Sequence, residues 1–323
     1  MHKPLLLLIV SLALLACSPQ VPRGDVVTIS VVGINDIHGQ LNASEQSGGL
    51  IAIAAHVDAL RTVRQTEGGA VVVVDAGDMW QGTLESNLVE GASMVDAYNA
   101  LGVAAAAIGN HEFDFGPVGP KPVPLDAGDD PRGALKQRAR EANFHLLAAN
   151  LIDNASGEPV AWDNVRGSMI VEAAGVRVGI IGVTTRNSLQ TTIAANTGGL
   201  SVAPLVETIT REATAARQAG ADIIIVVAHA GGRCQNQADD VPGCVLGGEL
   251  AAVANALEPG IVDHIFGGHV DNEMAEVVNG ISVSMNRGKA QSFGRVDFRV
   301  DLGTGQVVER RFFPPQANPA QRP

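Results

Sequence analysis

Apolar positions along the chain follow two rhythms. Short, nearly continuous runs rich in Val, Ile and Ala recur at 26–34, 70–77, 103–110, 177–185, 221–232 and 262–268. Uninterrupted runs of this length predict strands buried on both faces. Between them lie stretches with apolar residues at helical spacing: 48–65, 86–102 (one helix or two short ones, stopped at Gly102), 134–145, 204–220 and 247–260. A further strand is expected around Leu146–Ala149. The last part predicts a strand at 281–288 and a hairpin at 294–313 with a Gly-Thr-Gly turn. The segment "FGPVGPKPVPLDAGDDPRG" (115–133) is dense in Pro and Gly and reads as an irregular loop, and "PPQANPAQRP" (314–323) as a frayed tail. Strands alternating with helices predict an α/β fold in which helices cover buried strands.

The polar residues that interrupt this pattern are not random. Five apolar runs end in Asn35-Asp36-Ile37-His38-Gly39, Asp75-Ala76-Gly77-Asp78, Gly109-Asn110-His111-Glu112, His229-Ala230-Gly231-Gly232 and Gly268-His269-Val270-Asp271. Each alone is ordinary turn chemistry. In open α/β sheets, however, ligands bind beyond the carboxyl ends of strands, so neighbouring strands would bring these groups to one place. A mixture of carboxylate and imidazole suits Zn, Mn or Fe better than the all-oxygen shell preferred by Mg or Ca. The glycines allow close approach of backbone to a metal or phosphate.

Composition narrows the partners. The 323 residues are 46% hydrophobic and 17% charged, which is globular, and carry a net charge of -12. An acidic chain is a poor electrostatic match to a nucleic acid backbone, so no binding of nucleic acid polymers is expected; a phosphate remains accessible if metal ions supply positive charge. Aromatics are only 3%, against a base-stacking surface.

The first residues, "MHKPLLLLIVSLALLACSPQ", have a charged start and an apolar stretch too short to span a bilayer as a mature helix. They match a secretory signal over 1–17 and predict export to the bacterial periplasm or cell envelope. Leu14-Leu15-Ala16-Cys17 resembles a lipobox, which implies cleavage before Cys17, its lipidation, a membrane anchor through that lipid alone, and a tether over 18–27. Of the remaining cysteines, Cys234 and Cys244 most simply form a disulfide outside the cytoplasm; a zinc site lacks further cysteines or C-x-x-C spacing.

The order "NDIHG", "DAGD", "GNHEFD", "AHAGG", "GGHVD" resembles the metallophosphoesterase (calcineurin-like) superfamily, and "GNHEFDFG" points to its 5'-nucleotidase branch. The resemblance covers residues 28–313. It implies a four-layer αββα sandwich of two mixed sheets flanked by helices, and two divalent metal ions (Zn, Mn or Fe). By matching positions, Asp36 and His38 would hold the first, Asp78 would bridge, and Asn110, His229 and His269 would complete the second. His111 and Asp114 would form the catalytic dyad, with Glu112 a structural neighbour and Asp75 a buried support. Asp271 falls where the family has a neutral ligand to the first metal; a carboxylate there would favour a harder ion such as Mn. The implied activity is hydrolysis of 5'-nucleotides or other phosphomonoesters by a two-metal-activated hydroxide. A cyclic-nucleotide phosphodiesterase and a thiosulfohydrolase belong to the same family, and a non-catalytic metal- or phosphate-binding lipoprotein is the reading from another class. The family's C-terminal nucleotide-binding domain has no counterpart within 28–313, so a separate specificity domain or partner is expected.

Overall fold

The computed structural model describes residues 25–234 and 246–320. The export signal with Cys17, most of the tether, and Cys244 with its expected disulfide to Cys234 lie outside the described residues. No described helix is long and apolar enough to cross a membrane.

Two sheets form the body. The first has seven strands in the order Gln306–Ala317, Ser292–Asp301, Val26–Ile34, Ala70–Asp75, Val103–Ala107, His145–Leu147 and Val165–Arg166. Its first two pairings are antiparallel and the rest parallel. The second has six, in the order Met274–Val278, Ile281–Met285, His264–Gly267, Ile223–His229, Val176–Thr184 and Ser168–Ala173, antiparallel only at its two edges.

The run "IIIVVA" shows why these strands lack alternation. Ile223, Ile225 and Val227 pack into the core between the sheets, with Ile29, Val31, Val74 and Phe298 of the other sheet. Ile224, Val226 and Ala228 point the opposite way, into the core under the helices Leu205–Gln218 and Glu249–Ala256. On the far side, Val32, Ile34 and Val73 pack under Gly49–Thr66, Ala92–Leu101 and Gly133–Glu141. Helix, sheet, sheet and helix thus stack as four layers, as expected.

Two glycines set the spacing between the sheets. A Cβ at Gly33 would run into the Phe266 ring, and one at Gly182 into Leu147, including its backbone carbonyl. Backbone cannot rotate away as a side chain can, so Gly182→Ala is expected to destabilise by about 1–3 kcal/mol, an overpacking effect. Urea denaturation reads this as a lowered midpoint with an unchanged slope; an unchanged midpoint would mean that the sheets separate freely there.

Two expectations need correction, and one element was not expected. The first strand starts at Val26, so the tether ends before it. The tail 314–323 is not frayed throughout: the last strand continues to Ala317, and Asn318 is buried, its Nδ2 donating to Gly49 O and Ala290 O at 2.9 and 2.8 Å. Pro314 and Pro315 are compatible with a strand here because it is the sheet's edge, where an unused N–H is no loss. Finally, Met274–Val278 is a strand that the sequence pattern did not announce.

Candidate metal centre

Parallel strands end at a common edge, and here both sheets present their carboxyl ends to one side. From the first sheet, Asp36 and His38 follow Val26–Ile34, Asp78 follows Ala70–Asp75, and Asn110 and His111 follow Val103–Ala107. From the second, His229 closes Ile223–His229, and His269 and Asp271 follow His264–Gly267. A cavity of about 400 Å³ is lined by Asp36, His38, Asp78, Asn110, His111, His269 and Asp271, and buried His229 lies edge-on to the His269 ring at 5.0 Å between centroids. Groups from the ends of five strands, three in one sheet and two in the other, therefore meet at one place.

The loops are held by their own backbones. Asp36 N donates to Gly77 O (2.8 Å), His38 N to Asp78 O (3.0 Å), and His269 N to both carboxylate oxygens of Asp36 (3.0 Å each). Four of the candidate ligands adopt left-handed backbone: Asp36 at φ 49°, His38 at 50°, Asp78 at 60° and His269 at 76°. Non-glycine residues enter this region at a cost, and such residues cluster at functional sites. Glu112 fixes two loops at once, accepting from Asp78 N, Met79 N and Gly109 N at 2.7–2.9 Å. Asp75 accepts from Gly77 N and Tyr98 Oη. Both are the buried supports expected of them.

The donor atoms converge in a way that calls for a cation. His229 Nδ1 faces Ala76 O at 2.9 Å, which makes it the N–H and leaves a lone pair on Nε2. That lone pair faces Asn110 Oδ1 (2.9 Å), Asp78 Oδ2 (3.2 Å) and His269 Nδ1 (3.2 Å), all of them acceptors or potential acceptors. Only a proton or a cation satisfies such a gathering. His38 repeats the pattern, with Nδ1 on Gln81 O at 2.9 Å and Nε2 left for a ligand. His38, Asp78 and His111 each bring one donor atom within 4.8 Å of the others, and so do Asp78, His229 and His269. Asp78 belongs to both clusters, the position of a bridge. The imidazole, carboxylate and amide oxygen donors fit a transition metal. Neither cluster contains Asp36, whose carboxylate is engaged by His269 N and Asn35 Nδ2, nor Asp271, which stands exposed at the cavity wall.

Titration reflects the same crowding. Burial pushes the Asp36 carboxyl up to about 7 and Glu112 to about 7. Burial is the largest influence on Asp78 and would raise it, but the charge and hydrogen bond of His229 together with the charges of His111 and His38 hold it below the usual carboxylate range. Burial would lower His229, yet the Asp78 carboxylate raises it to about 10. A proton shared there occupies the place of a cation. Burial, with the His229 charge, brings His269 down to about 4.

His111 belongs to the first cluster and has a partner of its own besides. Its Nδ1 faces Asp114 Oδ2 at 2.6 Å, Thr192 Oγ1 donates to Asp114 Oδ1 at 2.7 Å, and the hydrogen bond to Asp114 raises the ring's pKa. Sequence reading missed several neighbours. Asn187 Nδ2 lies 3.2 Å from His269 Nε2, and Thr191, Gly288 and Lys289 complete the lining. These come from the ends of Val176–Thr184 and Ile281–Met285, apolar runs like the other five but without a histidine or acid at the end.

The sequence profile described as calcineurin-like phosphoesterase matches residues 29–272. A 5'-nucleotidase of Vibrio cholerae is 29% identical over 245 residues, 75% of this chain and 40% of that protein. Endonuclease YhcR of Bacillus subtilis is 26% identical over 295 residues, 88% of this chain and 23% of that protein. The chain thus spans well under half the length of these relatives. In fold, the calcineurin-like phosphoesterase YfkN of Bacillus subtilis matches with a TM-score of 0.68 at 20% identity, covering 90% of this chain and 91% of that structure.

Proposed function

Since the chain belongs to the calcineurin-like phosphoesterase family, we propose that it is a metal-dependent hydrolase of phosphoesters, acting on 5'-nucleotides or other phosphomonoesters. The observation that carries this reading is the pair of donor clusters joined by Asp78, with Asp114 held against His111 of the first. Asp36 and His38, with Asp271, are assigned to one divalent ion, Asn110, His229 and His269 to the other, and Asp78 to both. Bound there, such ions polarise a phosphoryl group and lower the pKa of water.

The chain's own groups do the rest. Glu112 and the backbone ladder fix the ligand loops before substrate arrives. Asp78 Oδ1 also accepts from His111 N at 2.9 Å, tying the dyad to the centre. Asp114 orients the imidazole, leaving Nε2 to donate to the phosphoryl oxygen or to the departing alkoxide. Metal analysis of the purified protein, with rates on a chromogenic phosphate, a 5'-nucleotide, a bis-ester and a sulfonated thiol, tests the reading. Bound metal with monoester hydrolysis is expected; no transition metal and no hydrolysis would remove it.

Asp271 is the departure from the neutral ligand that the family resemblance implies. As a ligand it adds negative charge and favours a harder ion. Asp271→Gln is expected to shift preference from Mn towards Zn in competition dialysis, and equal affinities in both proteins would take Asp271 out of the ligand set.

A further inference from the structure

The strand Ile281–Met285 ends in Asn286-Arg287-Gly288-Lys289 and brings neither acid nor histidine to the cavity. What it brings is Lys289, the one lysine or arginine among the residues lining it. The turn is fastened on both sides. Lys289 N donates to Asp36 O at 2.7 Å, and Ser47 Oγ and Asn318 Nδ2 donate to Ala290 O at 2.6 and 2.8 Å. A Cβ at Gly288 would stand 3.1 Å from Asp36 O, so the turn lies directly against the Asp36 backbone. Lys289 itself is held at φ 56°, in the left-handed region. By contrast, its ammonium has no hydrogen-bond or ion-pair partner among the described residues, and its positive charge acts on the His38 ring of the same cavity. Three acids, Asp36, Asp78 and Asp271, share the lining of that cavity with it. Glu45, across an adjoining polar cavity that Lys289 also lines, is likewise unpaired with it. A cation with a fixed stem and an uncommitted head, at the wall of an anion site, suits a negatively charged ligand.

We propose that Lys289 is a specificity-determining residue: its ammonium engages a non-bridging phosphoryl oxygen and favours dianionic monoesters over monoanionic diesters. A phosphomonoester loses its second proton with a pKa of about 6 and so carries the extra charge at neutral pH. A diester has no second proton to lose. Coulomb attraction scales with the product of the charges, so removing the ammonium weakens the monoester more. This inference rests on the phosphoesterase reading above.

The test compares wild type, Lys289→Gln and Lys289→Arg on 4-nitrophenyl phosphate and bis(4-nitrophenyl) phosphate. Binding of inorganic phosphate by calorimetry and metal content are measured on the same preparations. Lys289→Gln should raise the monoester KM and weaken phosphate binding by about tenfold, the scale of one charged hydrogen bond. The diester KM should rise less, by about threefold because the diester carries half the charge, metal content should stay near wild type, and Lys289→Arg should restore the monoester KM. Equal changes for both esters, or none in phosphate binding, would overturn the role of Lys289 in an active enzyme. A wild type that hydrolyses neither ester and binds no phosphate would instead refute the phosphoesterase reading, and this inference with it.

Discussion

Asp78→Asn is expected to lower kcat/KM by about a thousandfold or more and to strip the protein of metal, while leaving the fold intact. The size follows from position: Asp78 is the one carboxylate shared by both donor clusters, and it is buried. Losing even an outer-shell partner typically costs 10–100-fold in metal affinity or activity, as an order of magnitude, and a bridging ligand stands closer than that. Asparagine is the clean substitution. It tolerates the left-handed backbone at φ 60° and keeps the side-chain size, so circular dichroism and the melting transition should change little. What it removes is the charge that holds His229 protonated in the metal-free site and that a cation would use. Metal content by elemental analysis and rates on a chromogenic monoester decide it. Full metal loading with a rate within tenfold of wild type would show that the clusters are not the reacting centre.

His111→Ala should separate chemistry from metal binding. The imidazole touches the cavity, but its Nδ1 is committed to Asp114 and its Nε2 is the atom left for a substrate oxygen. Its loss should lower kcat by about 10²–10⁴-fold, the usual range for a positioned proton donor. Metal content should fall far less than in Asp78→Asn. The deficit should also depend on the leaving group. A nucleoside alkoxide needs the proton, whereas 4-nitrophenolate departs with little help, so the variant should retain more activity on the aryl ester. An equal loss on both would move His111 from leaving-group protonation to stabilisation of the phosphoryl oxygens. No loss on either would exclude it from the chemistry.

The parts legible in the sequence are those whose cause is local. A strand buried on both faces must be a continuous apolar run, and a group that follows it immediately must lie at the sheet edge. Asp36, Asp78, Asn110, His229 and His269 all follow or close such a run and lie at that edge. Lys289, Asn187 and Thr191 arrive at the same edge by the same rule, but a lysine, an amide and a hydroxyl after an apolar run are too common to mark a site. The strand Met274–Val278 exists because Ile281–Met285 offers it a partner, which only the folded sheet reveals. Two prolines suggested fraying at 314–315, and their edge position makes them harmless there. The engagement of Asp36 by His269 N joins residues 233 apart in sequence and has no local signature at all.

That contact also bears on the order of events as the chain folds. The donor set is divided between two sheets: the first sheet alone brings His38, Asp78 and His111 together, but the second cluster needs His229 and His269 from across the interface. Bringing such distant segments together incurs its loop-closure entropy before any ligand geometry exists. A half-folded chain with only the first sheet in place therefore presents one donor cluster and not the pair. Metal capture by the cluster of Asp78, His229 and His269 becomes a report that the two halves have docked, and a metal there consolidates the finished fold rather than nucleating it.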